Sequence, residues 1–77
     1  MESLTLYYFE SCPYCQKVLH YLEEHPVPIE KKDIRKDPAA RNELIQIGGK
    51  PQVPCLIHDG KALYESDDII VWLKYNT

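Results

Sequence analysis

Long apolar runs are missing from this chain: the longest, Ile69 to Leu73, falls far short of the roughly 20 residues a membrane-spanning helix needs. Positive charge is not in excess either. The formal net charge is -3, which gives no broad basic field to attract nucleic acid or an anionic membrane surface. No basic stretch at the N-terminus leads into an apolar segment with a small-residue cleavage site, so no secretory signal is expected and the expected location is cytoplasmic. Cysteine is scarce. Three of them, two only three positions apart, are too few and too local to staple a fold, so they read as reactive thiols and not as a secreted disulfide framework. Internal repeats and low-complexity linkers are also absent.

What is present suits one small globular domain spanning residues 1–77, expected to be a monomer. At 44% hydrophobic and 27% charged residues, with the charges interspersed, the composition is that of a chain that folds. Its length lies near the lower limit for a single unstapled core.

The hydrophobic pattern divides the chain into seven elements. Leu4, Leu6 and Tyr8 alternate with Thr5, Tyr7 and Phe9, and both sets are largely apolar or aromatic. That predicts a central strand over 3–9, covered on both faces. Cys15, Val18, Leu19 and Leu22 then fall on one helical face, so a helix should run from Pro13 towards His25 and stop before Pro26. Pro28 to Ile34, with Glu30, Lys31, Lys32 and Asp33, has the charge expected of an edge strand. Asp37 as N-cap, Pro38 at the first helical position and Gly48-Gly49 as the stop frame a second helix. Pro54–His58 and Lys61–Tyr64 flank Asp59-Gly60 as a hairpin. Ser66 is the expected N-cap of a third helix, with Asp67 and Asp68 favoured by its dipole and Ile69, Trp72 and Leu73 buried. The order β-α-β-α-β-β-α predicts an α/β fold with a four-stranded mixed sheet and three helices.

Cys12-Pro13-Tyr14-Cys15 falls where the first strand gives way to the first helix. A sulfur at that N-cap meets free backbone N–H groups and the positive end of the helix dipole, both of which favour the thiolate. Cys12 is therefore the expected attacking sulfur. Cys15, one turn later on the apolar face, is the expected resolving thiol. A structural zinc site is the competing reading of the same pair, but the spacing of Cys15 and His20 does not supply a second ligand pair. No metal is expected. His20, His25 and His58 read as surface or boundary residues, and Cys55 as a small buried strand residue.

Three segments in order, Cys12-Pro13-Tyr14-Cys15, Gln52-Val53-Pro54 and Ser66-Asp67-Asp68, make the chain resemble the glutaredoxins over essentially its whole length. The resemblance implies a thioredoxin-like fold and a glutathione-dependent thiol-disulfide oxidoreductase, with glutathione as co-substrate and disulfide-bearing proteins or small molecules as substrates. It also implies a cis peptide before Pro54, which would present the Val53 backbone to the cysteinyl part of glutathione. Ser66 and Asp67 would take the γ-glutamyl end, Tyr14 would line the groove, and Gln52 with Lys50 would lie near the glycyl carboxylate.

Two departures qualify the likeness. Glu10 and Ser11 stand where many glutaredoxins have a basic residue, and a carboxylate near Cys12 opposes a thiolate. Tyr64-Glu65 replaces a frequent Gly-Gly, and Glu65-Ser66 is similar to the glutathione-contacting pair of glutathione S-transferase N-terminal domains. Two further readings stay open: a protein holding an iron-sulfur cluster through Cys12 and glutathione, and a glutathione-binding module without turnover.

Overall fold

A computed structural model describes residues 4–77. Strand β1 (Leu4–Tyr8) is followed by α1 (Pro13–Glu24), β2 (Glu30–Asp33), α2 (Pro38–Gly48), β3 (Cys55–His58), β4 (Lys61–Tyr64) and α3 (Ser66–Asn76). The predicted order holds. The sheet runs β2-β1-β3-β4, with β1 parallel to β2, as a helical crossover requires, and β3 antiparallel to both β1 and β4.

Period-two alternation sorts the side chains of the central strands onto two faces. Leu6 is opposite Leu56, and Tyr7 is opposite Cys55. On one face Leu4, Leu6 and Leu56 pack with Val18 and Leu22 of α1 and with Ile69 and Leu73 of α3; on the other, Tyr7, Cys55 and Ile57 pack with Ile34 and with Ala40 and Leu44 of α2. Each fully buried leucine or isoleucine removed from water favours the fold by about 1.5–3 kcal/mol. Such burial is what a short unstapled chain relies on.

The helix and turn signals act as their residues dictate. The Asp37 carboxylate accepts from the Ala39 N–H at 3.0 Å, and Gly49, at φ 87°, ends α2 with its N–H donating to the Ile45 carbonyl at 2.8 Å. Asp59 and Gly60 have φ of 51° and 73°, the backbone that a two-residue hairpin with native twist demands.

Five expectations need correction. The third strand starts at Cys55 and not at Pro54, and Trp72 is half-buried where Ile69 and Leu73 are buried. The second strand is Glu30–Asp33 and not Pro28–Ile34, because Pro28 lacks an N–H and Ile34, whose N–H still donates to the Tyr8 carbonyl at 2.9 Å, opens a turn. In that turn the Asp33 carboxylate accepts from the Arg35 and Lys36 N–H groups at 2.8 and 3.1 Å. The first strand ends at Tyr8, short of Phe9, while residue 3 lies outside the described residues. Ser66 is not the N-cap of α3: that position is Glu65, with no side-chain capping bond, and Ser66 is a buried first-turn residue.

Candidate active site

Cys12 occupies the junction that the sequence assigns to it. Its backbone is extended, at φ -82° and ψ 116°, and Pro13 starts the helix without needing an N–H partner. The Cys12 N–H donates to the Phe9 carbonyl at 3.2 Å, its carbonyl accepts from the Gln16 N–H at 3.0 Å, and its Sγ accepts from the Cys15 N–H at 3.3 Å. The sulfur thus takes the place that a serine or aspartate oxygen holds at an ordinary N-cap.

The three free thiols differ in environment. Cys12 retains 6% of its accessible surface, whereas Cys15 and Cys55 retain none. Burial pushes the Cys15 thiol up to about 12, with its interaction with Cys12 adding to the effect. Burial likewise raises Cys55 to about 11, opposed in part by the Tyr64 hydroxyl and the β4 backbone. At pH 8 both stay protonated, and the thiol form is a poor nucleophile. Iodoacetamide at that pH should therefore label the folded protein once, at Cys12, with Cys15 and Cys55 reacting only after denaturation. Peptide mass mapping checks this, and equal labelling of Cys15 in the folded chain would contradict it.

Beside the cysteine turn lies a groove of about 260 Å³ lined by Tyr14, Gln52, Val53, Pro54 and Glu65. The Val53–Pro54 peptide is cis, and Tyr14 is 67% exposed on the wall next to Cys12. Tyr14, Gln52, Val53 and Pro54 are thus brought together from the predicted set. Ser66 and Asp67 do not line the groove: the first is buried, and the carboxylate of the second pairs with the Lys17 ammonium of α1. Glu65, at φ 70°, reaches the groove in their stead. Its likeness to the transferase Glu-Ser pair is the sequence signal for that role. Lys50 is not free in solvent but sits 4.6 Å over the Tyr64 ring, whose hydroxyl donates to the Lys50 carbonyl at 3.1 Å. His58 stacks on Trp72 with centroids 4.4 Å apart. A larger hollow, about 530 Å³, lies between the C-terminal ends of α1 and α3 and carries no cysteine.

The Glu10 carboxylate is engaged by a lysine. It accepts from Lys36 Nζ at 3.2 Å, and the Glu10 carbonyl accepts from Gln16 Nε2 at 2.6 Å. Arg35 lies 3.9 Å over the Phe9 ring and donates from Nη1 to Ser11 Oγ at 3.2 Å. Two cations from the β2–α2 connection therefore flank the residues before Cys12. Sequence reasoning misses them because they reach that turn only through the pairing of β2 beside β1.

A thiol at the head of the helix after a central strand, a cis-proline loop before the third strand, and a further helix start across the groove define a thioredoxin-fold thiol domain. A family model described as glutathione S-transferase, N-terminal domain, matches residues 6–76. The chain belongs to that family. It is 29% identical over 69 residues to glutaredoxin 3 of Escherichia coli strain K12, covering 90% of this chain and 83% of that protein. It is 33% identical over 66 residues to prostaglandin E synthase 2 of Mus musculus, covering 84% of this chain and 16% of that protein. The chain therefore spans about a sixth of the length of that relative. The structure of glutathione transferase Omega 3C from Trametes versicolor superposes with a TM-score of 0.82 at 31% identity, covering 95% of this chain and 33% of that one. These likenesses give a thioredoxin-fold domain similar to the glutaredoxins and to glutathione S-transferase N-terminal domains.

Proposed function

We propose that the chain reduces glutathione mixed disulfides and, through them, protein disulfides, with Cys12 as nucleophile. The Cys12 thiolate attacks the glutathione sulfur of a disulfide GS–SR, forming the Cys12–glutathione disulfide and releasing RS⁻, which takes a proton. A second glutathione thiolate then attacks the bound glutathione sulfur, giving glutathione disulfide and restoring Cys12. One glutathione thiol is consumed for each GS–SR reduced, the other half of the glutathione disulfide coming from GS–SR itself, so that atoms and electrons balance. Glutathione, and not Cys15, is the main resolving thiol in this scheme, because a buried thiol held near 12 is scarcely ionised at neutral pH.

The observation that supports the proposal best is the Cys12 sulfur at a helix N-cap next to the groove of Tyr14, Gln52, Val53, Pro54 and Glu65. In that groove the Val53 backbone would pair with the cysteinyl unit, with Tyr14 and Gln52 along its sides. The start of α3, at Ser66 and Asp67, offers N–H donors to the γ-glutamyl carboxylate. The Glu65 carboxylate would take the α-ammonium, since it lines the groove while Asp67 shares one carboxylate oxygen with Lys17. The proposed setting is a monomer in a glutathione-rich cytoplasm, where protein thiols are kept reduced.

The test is turnover of a glutathione mixed disulfide, coupled to glutathione reductase and followed by loss of reduced nicotinamide. Catalysis that rises with glutathione and saturates with the mixed disulfide is expected. Binding of glutathione without turnover would reject the oxidoreductase in favour of a non-catalytic binding module.

A further inference from the structure

Arg35 is held beside the active-site turn by two contacts and lacks the partner such a residue usually has. Its guanidinium packs on Phe9 and bonds to Ser11, the neighbour of Cys12. Among the described residues no carboxylate lies within ion-pair distance of it. Lys36, the next residue, is already matched by Glu10. The loop that presents Arg35 is fixed by its own backbone, since Asp33 accepts from the Arg35 and Lys36 N–H groups. A guanidinium so placed is pre-organised for a carboxylate, which it can bind through two parallel N–H donors.

The sheet order says which part of a disulfide it meets. Cys12 follows β1, one of the two central strands. The groove is built on the β3 and β4 side, from residues 52–54 and Glu65, whereas Arg35 comes from the end of β2, on the opposite side. A disulfide with its glutathione half in the groove has its other half left to find room around the cysteine turn. We infer that Arg35 is a specificity-determining residue that selects mixed disulfides whose released thiol carries a carboxylate, as an acidic segment beside a protein cysteine would. The inference rests on the proposed oxidoreductase activity. Its consequence is a preference among substrates with no change in the sulfur chemistry.

The experiment compares kcat/KM for mixed disulfides of glutathione with 3-mercaptopropionate, 2-mercaptoethanol and cysteamine. The glutathione half is constant, so its own carboxylates cancel from the ratios. The expected order for the unmodified chain is anionic, then neutral, then cationic, with about a fivefold step from anionic to neutral, the scale of an exposed ion pair. Arg35→Gln should remove that step, Arg35→Lys should keep most of it, and Arg35→Glu should reverse the order. An equal loss on all three substrates in Arg35→Gln would overturn the inference, because Arg35 would then act on Cys12 or on glutathione. Should the unmodified chain turn over none of them, the oxidoreductase proposal fails by itself. The rate ratio of iodoacetate to iodoacetamide at Cys12 then decides on Arg35 without turnover: a ratio that falls about fivefold in Arg35→Gln supports its steering of anions, and an unchanged ratio rejects it.

Discussion

Cys12→Ser is expected to lower turnover of a glutathione mixed disulfide by at least about 1,000-fold, while Cys15→Ser keeps most of it. Serine preserves the N-cap, since its oxygen accepts the bond that Cys12 Sγ now takes from the Cys15 N–H. The fold should survive, and the loss would report chemistry alone. At Cys15 the argument runs through burial. A thiol with no accessible surface, pushed up to about 12, supplies little thiolate for resolving a mixed disulfide at neutral pH. The steady-state assay, with thermal melts of both variants, makes the comparison. Equal loss in the two variants would show that the dithiol pair, and not glutathione, completes the cycle. A Cys12→Ser variant that remains active would remove the nucleophile assignment altogether.

Gly48→Ala is expected to destabilise the protein by about 1–2 kcal/mol and to raise the KM for glutathione. On propensity alone the change should help, by up to about 1 kcal/mol within a helix. Packing opposes it. A Cβ at residue 48 would overlap the Tyr64 hydroxyl and come within 2.9 Å of Tyr64 Cζ and 3.3 Å of Ala62 Cβ. The hydroxyl cannot yield cheaply, because it donates to the Lys50 carbonyl while the Lys50 ammonium covers the ring. Overfilling such a contact typically costs about 1–3 kcal/mol. The displaced ring would disturb the segment from Lys50 to Pro54, of which Gln52, Val53 and Pro54 line the groove. Thermal melts should show a fall of several degrees, about 4–8 °C per kcal/mol for a chain of this size. Tyr64→Phe in the same chain should recover part of it. A neutral or stabilised Gly48→Ala would mean that Tyr64 does not hold that loop.

Much of this architecture is legible from residue order because its signals are local. Asp37-Pro38, Gly48-Gly49, Asp59-Gly60 and Cys12-Pro13 each act within a turn or two of their own position. The central strand is legible from apolar residues on both of its faces. Other features depended on contacts between distant elements. Ser66 has good N-cap chemistry, but packing draws its side chain inward and passes the cap position to Glu65. Asp67 is well placed for a ligand by sequence, yet Lys17, 50 positions away, pairs with it. Arg35 and Lys36 lie 24 and 26 positions from their partners Ser11 and Glu10. Charge next to Cys12 therefore has to be read across the sheet as well as along the chain.

Glu65 carries a backbone cost that a glycine in its place would not. A non-glycine residue at φ 70° sits in backbone space that glycine enters freely and that other residues occupy at about 1–3 kcal/mol. Glycine would relax this corner but would remove a carboxylate from the wall of the groove. For so small a chain that is a sizeable fraction of the margin holding it folded. On the proposed function, the corner is a spring held under tension to display one charge, and a mutation there trades ligand binding against stability.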